Sequence, residues 1–108
     1  MRTPEGREAD KIDAFLDDMG VWYCKPRTGG YGKSGVPDRV CCFAGYFFSI
    51  EIKRPAKEPT PLQTLRAKEI QSAGGRAYWG PAEKVVREIQ AWMRRKACGG
   101  PVVEEFQP

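Results

Sequence analysis

The apolar residues of the N-terminal segment recur at helical spacing. A helix is predicted from about Pro4 to Met19, followed by Gly20 as a stop signal. Its expected buried face comprises Ile12, Phe15, Leu16 and Met19. Glu5 and Glu8 continue the same stripe towards the N-terminus, so two carboxylates are aligned with the buried side of this helix.

Two further helices are predicted in the C-terminal half of the chain. Thr60 and Pro61 have the residue types that begin a helix, and Gly74-Gly75 ends it. The expected buried stripe of this helix comprises Leu62, Leu65, Ile70 and Ala73. The last helix is predicted over Pro81 to Lys96. Its continuous apolar face comprises Ala82, Val85, Val86, Ile89, Trp92 and Met93.

Four short segments have the composition and alternation of β-strands. They are expected at Val21–Cys24, Arg39–Ala44, Tyr46–Lys53 and Arg76–Trp79, with Gly45 joining the middle two as a tight hairpin. In the longest strand, alternate positions separate an apolar face from a face that ends in Glu51 and Lys53. The order α-β-β-β-α-β-α predicts an α/β fold, with a mixed β-sheet flanked by helices.

The composition indicates one basic domain. The chain has 108 residues, which suits a single core, and 41% of them are hydrophobic. Eighteen Lys and Arg residues against fourteen Asp and Glu give a net charge of +4, which favours a polyanionic partner such as nucleic acid. The chain has no histidine, which excludes His-ligated zinc and catalysis by Ser-His-Asp or Cys-His pairs.

The four cysteines contain no C-x-x-C pair, so reduced and mostly buried thiols are expected. Tyr78, Trp79 and Trp92 are also expected in the core. A single domain is predicted over residues 1–98, with a loose tail over 99–108. No apolar run approaches the roughly 18 residues of a membrane span, and the start lacks a secretion signal. A cytoplasmic protein without a membrane partner is therefore expected.

Two carboxylates and a lysine are expected to meet at one end of the predicted hairpin. Asp38 precedes its first strand, Glu51 lies near the end of its second strand, and paired strands are only about 5 Å apart. Such a pair of oxygen ligands suits Mg²⁺ or Mn²⁺. Lys53 shares a strand face with Glu51, where an ammonium group can stabilise charge on a phosphate, or orient or deprotonate water.

A simpler interpretation of the same residues is a solvated ion pair of Glu51 with Lys53 or Arg54. The preceding Pro37-Asp38 favours a catalytic site instead. So does the segment from Lys25 to Val36, which combines basic side chains with four glycines. This segment is either a loop that contacts phosphates or a plain connector.

These motifs resemble those of the PD-(D/E)XK nuclease superfamily, and most closely its virus-type replication–repair nuclease (VRR-NUC) branch with its small stand-alone phage proteins. The resemblance spans residues 3–83 and implies a restriction-endonuclease-like fold. The matching segments are Thr3-Pro4-Glu5-Gly6-Arg7, Gly29-Gly30-Tyr31-Gly32, Gly35-Val36-Pro37-Asp38, Ile50-Glu51-Ile52-Lys53, Lys53-Arg54-Pro55 and Gln63.

The resemblance implies a role for each matching residue of the site. Asp38 and Glu51 would hold Mg²⁺ or Mn²⁺ together with the backbone carbonyl of Ile52, and Lys53 would be the catalytic lysine. Gln63 would support the site from the start of its helix; alternatively, it is an exposed first-turn residue.

The family also places a catalytic glutamate on the first helix. Glu5 fits the T-P-E-G-R opening, whereas Glu8 fits the spacing to Ile12 found in shorter relatives. Glu5 is preferred, and a plain first-turn charge is the alternative for either residue.

The function that these observations indicate is that of a metal-dependent DNA endonuclease. The resemblance implies a structure-specific enzyme that resolves four-way junctions, and symmetrical cutting of two strands requires two active sites, hence a homodimer. The alternatives are a flap-type or restriction-like nuclease of the same fold, a nuclease acting on RNA, or a non-catalytic basic DNA-binding module. The candidate DNA contacts are Arg27, Lys33, Arg39, Arg54 and Lys57.

Overall fold

A computed structural model of the chain describes residues 2–27 and 32–97, without the side chains of residues 96 and 97. Its elements are α1 (Pro4–Asp18), β1 (Trp22–Cys24), β2 (Arg39–Phe43), β3 (Tyr46–Ile52), α2 (Pro61–Ser72), β4 (Arg76–Gly80) and α3 (Ala82–Ala97). The predicted order and the α/β class are confirmed. The predicted tail, Cys98 and the Gly29-Gly30-Tyr31 motif lie outside the described residues.

The four strands form one mixed sheet in the order β1-β2-β3-β4. The first two pairings are antiparallel, and β4 runs parallel to β3. Ala44 and Gly45 connect β2 to β3, with φ angles of 53° and 86°. Positive φ at both positions is the conformation of a type I′ hairpin turn, whose twist matches that of the strands it joins. The parallel strand is reached through α2, as a crossover requires.

The core lies between one face of the sheet and the helices α1 and α3. Ile12 and Leu16 of α1 are completely buried against it. The remaining core comprises Val21, Cys41, Phe48, Ile50, Ile52, Tyr78, Ala82, Val85, Ile89, Trp92 and Met93. Trp92 is 1% exposed, and its ring meets the edges or faces of three aromatic rings at centroid distances between 5.6 and 6.4 Å.

Helix α2 packs on the other face of the sheet, against β3 and β4. None of its residues is fully buried, and Leu62 and Leu65 are 39% and 48% exposed. The predicted buried stripe of this helix is therefore wrong. The side of α2 towards the sheet carries Gln63, Ala67 and Gln71, at spacings of four residues. This sheet face carries Glu51 and Lys53, so a polar helix side suits it better than leucines.

Several other apolar residues are more exposed than expected. Met19 is 39% exposed and Trp79 is 36% exposed, so their assignment to the core is wrong. Cys24 and Cys42 are also exposed, whereas Cys41 is buried, and burial raises the pKa of its thiol to about 12. Cys42 lies in register between Trp22 and Phe47, so this end of the outer sheet face remains open. Across residues 2–27 and 32–97, no helix is long and apolar enough to span a bilayer.

An ion pair inside the fold joins α1 to β2. Arg39 is 6% exposed, and its Nε and Nη2 donate to the two carboxylate oxygens of Asp13 at 2.8 Å each. Its Nη1 donates to the backbone carbonyl of Asp38 at 2.9 Å. The guanidinium group is committed to these acceptors and shielded from the surface, so Arg39 is removed from the candidate DNA contacts.

We predict that Asp13→Ala lowers the free energy of unfolding by about 3 kcal/mol, because it leaves the Arg39 charge shielded from water without its partner. Asp10→Ala is the matched control on the same helix. Asp10 pairs with Arg2 at the surface, where the two side chains are 58% and 60% exposed, and its loss should cost below about 1 kcal/mol. Urea titration measures both values. Equal losses would show that the Arg39–Asp13 pair has no special structural role.

Candidate active site

The carboxylate of Asp38 closes the β2–β3 hairpin at its open end. The paired residues of these strands extend only as far as Arg39 and Ile50. Two residues further along β3, the N–H of Ile52 donates to Oδ2 of Asp38 at 2.8 Å. A side chain thus accepts the hydrogen bond that the neighbouring strand would otherwise take. This contact places Asp38 beside the last residues of β3.

Glu51 and Lys53 lie at that end of β3, largely shielded from solvent. Their side chains are 12% and 9% exposed, and Lys53 Nζ lies 4.0 Å from Glu51 Oε2. The same Glu51 oxygen accepts a hydrogen bond of 2.9 Å from Gln63 Nε2. The two charges therefore do interact, but the alternative of a solvated surface ion pair is wrong, because α2 covers this part of the sheet.

The arrangement brings like charges together. Burial raises the pKa of Glu51, the hydrogen bond and charge of Asp38 act in the same direction, and the resulting pKa is about 8. The Lys53 ammonium lowers this pKa, whereas the charge of Glu5 raises it further. One lysine thus offsets only part of the carboxylate charge. The site is consequently suited to an additional cation.

The two glutamates of α1 have different environments. Glu8 accepts a hydrogen bond of 2.7 Å from the backbone N–H of Ala82, at the first residue of α3. Its side chain is 13% exposed, and it caps a helix that begins 74 residues later. Glu5 is exposed, and its charge acts on Glu51. The structure thus gives Glu8 a structural partner and brings the charge of Glu5 towards the carboxylates.

Gln63 links the site to the start of α2. Thr60 Oγ1 accepts the Gln63 N–H at 3.2 Å, and Gln63 Oε1 accepts the Thr60 N–H at 2.8 Å, which forms a capping box. Because the amide oxygen is used in the cap, the amide nitrogen is the end that faces Glu51. Gln63 is half-buried and bonded on both ends, so its alternative interpretation as an exposed residue is wrong.

Of the remaining basic candidates, Arg27, Arg54 and Lys57 are exposed. Lys33 is also exposed, and its Nζ lies 3.8 Å from a carboxylate oxygen of Glu69 on α2. Arg66, which the sequence pattern did not single out, donates from Nε to the Ser34 carbonyl at 2.8 Å. This hydrogen bond joins Ser34, in the segment from Lys25 to Val36, to α2. A contact across 32 residues leaves no local signal in the sequence.

Gly35 in the same segment has a structural reason to be glycine. Its φ is 74°, and a Cβ there would lie 2.6 Å from Cγ of Leu62. Any side chain would be strained at this φ and would collide with the side chain of Leu62. The glycine thus keeps Pro37-Asp38 close to the start of α2, where Gln63 reaches Glu51.

The oxygen atoms available to a metal are few. In the part of the chain that the structure describes, no group of three His, Cys, Asp or Glu side chains converges as a metal cage. Asp38 and Glu51 supply two carboxylates. In a strand, the N–H and C=O of one residue point to the same side, so the carbonyl of Ile52 lies on the edge that faces Asp38.

Comparison with solved structures identifies the fold. A structure described as a VRR_NUC domain matches this chain with a TM-score of 0.73 and 22% sequence identity. The match covers 83% of this chain and 98% of the other. No protein-family model matches the sequence, and neither does any curated protein. The chain has the fold of a VRR_NUC domain, as its motifs predicted.

We predict that Gln63→Glu lowers the free energy of unfolding of the metal-free protein at pH 9 by about 2 kcal/mol. The substitution removes the amide N–H that donates to the charged Glu51 carboxylate. At pH 9 Glu51 is ionised, because its pKa is about 8. In the variant, its carboxylate therefore faces the carboxylate introduced at position 63. The helix start is retained, since Glu also serves in a capping box. Urea unfolding in EDTA measures the loss. Gln90→Glu on the exposed side of α3 is the control of equal charge and should change little. Equal effects would refute the Gln63–Glu51 contact.

Proposed function

We propose that this protein is a Mg²⁺- or Mn²⁺-dependent endonuclease that hydrolyses DNA phosphodiesters. The observation that carries the proposal is the convergence of Asp38, Glu51 and Lys53 at one end of β3, shielded by α2. The VRR_NUC-like fold supports it, because this is the fold that the resemblance of the motifs implies. We regard a non-catalytic DNA-binding role as less suited to a site in which like charges are held together.

The donor set fits a hard divalent cation. Mg²⁺ is usually held by one or two carboxylates, with waters and substrate phosphates completing its coordination. Asp38, Glu51 and the Ile52 carbonyl would hold it, and the like charges of the two carboxylates favour a bound cation. When bound, the cation supplies Lewis acidity towards the phosphate and lowers the pKa of coordinated water.

The side chains of the chain have separate tasks in hydrolysis. A water oxygen bonds to phosphorus and the water gives up a proton, the bond to the leaving sugar oxygen breaks, and that oxygen takes up a proton. Lys53 is held near Glu51 in a poorly hydrated position, where its charge is effective against the negative charge that builds up on the phosphate. Gln63 and the Ile52 N–H orient the two carboxylates. Glu5 is the first-helix glutamate that we assign to the site.

DNA would approach over the exposed basic residues around this site. We retain Arg27, Lys33, Arg54 and Lys57 as candidate phosphate contacts, since all four side chains are exposed. Contacts of this kind set affinity and position rather than sequence preference.

We predict that Asp38→Asn and Lys53→Ala each lower the rate of DNA cleavage at least 10²-fold, as losses of charge stabilisation in active sites commonly do. The two variants should differ in a second measurement. Mn²⁺ should raise the melting temperature of Lys53→Ala, because a bound ligand stabilises the folded state. It should raise that of Asp38→Asn much less, since a metal ligand is lost. EDTA should abolish cleavage by the wild type.

Glu83→Gln and Arg87→Ala are the controls for these two substitutions. They remove the same kinds of charge from an exposed pair on α3, where the side chains are 92% and 65% exposed. Both controls should cut DNA at the wild-type rate. If Asp38→Asn and Lys53→Ala cut as well as these controls, the assignment of the active site is wrong.

The preferred substrate that we propose is a four-way junction cut by a homodimer. One described chain carries one site, and symmetrical cutting of two strands calls for two. We predict that light scattering detects a dimer, free or with junction DNA, and that junctions are cut faster than flaps, linear duplexes or single strands. A monomer that cuts flaps fastest would favour a flap-type nuclease. Rapid cutting of linear duplex would favour a restriction-like enzyme.

A further inference from the structure

A cavity of about 400 Å³ adjoins Glu51, between α2 and the outer face of β3 and β4. It exists because the side of α2 towards the sheet is not filled with large apolar residues. Ala67 of the helix and Ala77 of β4 both line it, and each leaves room that a larger side chain would occupy. Gln63 forms the boundary that the cavity shares with the active site.

Trp79 forms an aromatic wall of this cavity. It is the register partner of Glu51 across the parallel β3–β4 pair, so the two side chains lie on the same sheet face. Lys84 makes two contacts with Trp79. Its Nζ lies 4.0 Å from the ring centroid and donates to the Trp79 carbonyl at 2.6 Å. The ammonium occupies one face of the ring, and Trp79 also lines the cavity.

The lining favours a flat and uncharged occupant. Two carboxylates, of Glu51 and Glu58, line the cavity against the single ammonium of Lys68. The lining has no surplus of positive charge that would attract a phosphate, whereas a neutral ring can stack on Trp79 and find polar groups around its edge. Pockets for whole small molecules begin at about 300 Å³, so the volume suffices for one nucleobase with its sugar.

We propose that this cavity takes up one unpaired nucleobase of the DNA substrate, from the nucleotide beside the cleaved phosphate, with Trp79 as its stacking platform. The inference rests on the proposed nuclease function and adds a determinant of substrate choice. A base must leave its stack to enter, which costs a few kcal/mol in intact duplex and least where it is already unpaired. The cavity thus favours cleavage beside a nucleotide whose base leaves its stack at low cost, such as one at the branch point of a junction.

The test is a double-mutant cycle between the protein and the DNA. The cut in a junction is first mapped, and abasic residues are then placed on either side of it, one in each substrate. Trp79→Leu, which keeps an apolar side chain, should lower kcat/KM on intact DNA about 5- to 150-fold, the range expected for one stacked base. An abasic residue in the nucleotide that enters should produce a similar loss with the wild type.

The two losses should not multiply, because both remove the same contact. Trp79→Leu should therefore cut the sensitive abasic substrate about as fast as the wild type cuts it, and Trp79→Phe should retain most activity on intact DNA. Trp22→Leu is the control, since Trp22 is 63% exposed at the far end of the sheet. Melting temperatures of all variants show that they fold.

Failure of this inference is distinguishable from failure of the proposed function. If the wild type cuts DNA but the two losses multiply, or if neither change has an effect, the base does not enter the cavity while the nuclease assignment stands. Equal losses with Trp22→Leu and Trp79→Leu would also refute it. A wild type that cuts no DNA with Mg²⁺ or Mn²⁺ would refute both.

Discussion

The hydrogen bond from the Ile52 N–H to the Asp38 carboxylate is the contact on which the site depends. It forms where the pairing of β2 with β3 stops, so a side chain completes what the backbone of β2 leaves unfinished. Pro37, the residue before Asp38, has no backbone N–H that could compete with Ile52 for the Asp38 carboxylate. The bond holds Asp38 against Glu51, although burial and like charge both oppose that placement. Asp38 therefore has a structural as well as an electrostatic role.

The polar layer beneath α2 is the counterpart of the apolar core beneath α1 and α3. On the core side, interlocking rings around Trp92 stabilise the sheet by burial and packing. On the other side, the sheet presents Glu51 and Lys53 to a helix without a fully buried residue. Functional sites commonly sacrifice local stability in this way, and the rest of the fold compensates. The difference explains why one sheet can support both a firm core and a polar, partly open face.

Much of the fold could be predicted because its signals are local. The apolar period of α1 and α3, the cap of α2 and the alternation along β3 each lie within a few neighbouring residues. The same alternation placed Glu51 and Lys53 on one face, and the P-D before β2 placed Asp38 near them. Family resemblance, rather than pattern, supplied the role of Gln63.

What could not be predicted depends on contacts between distant residues. The sequence around Arg39 predicts a basic residue beside the site. The structure instead pairs it with Asp13, which lies 26 residues away in the chain. The sequence predicts Trp79 in the core. The parallel register of β3 and β4 instead places it beside Glu51. The leucines of α2 are predicted to be buried because periodicity identifies the apolar side of a helix. It does not identify the part of the protein against which that side packs. No spacing within a segment contains that information.

The cap that Glu8 provides for α3 has a consequence for the order in which the site is completed. The turn of α1 that carries Glu5 is fastened to residue 82, which is synthesised 74 residues later. Asp38, Glu51, Lys53 and Gln63 all lie earlier in the chain, in the part that contains the hairpin and α2. A growing polypeptide thus has its carboxylates and lysine well before α3 can anchor the first helix over them. The contribution of Glu5 arrives last, so the arrangement that we propose as an active site stays incomplete until α3 has left the ribosome.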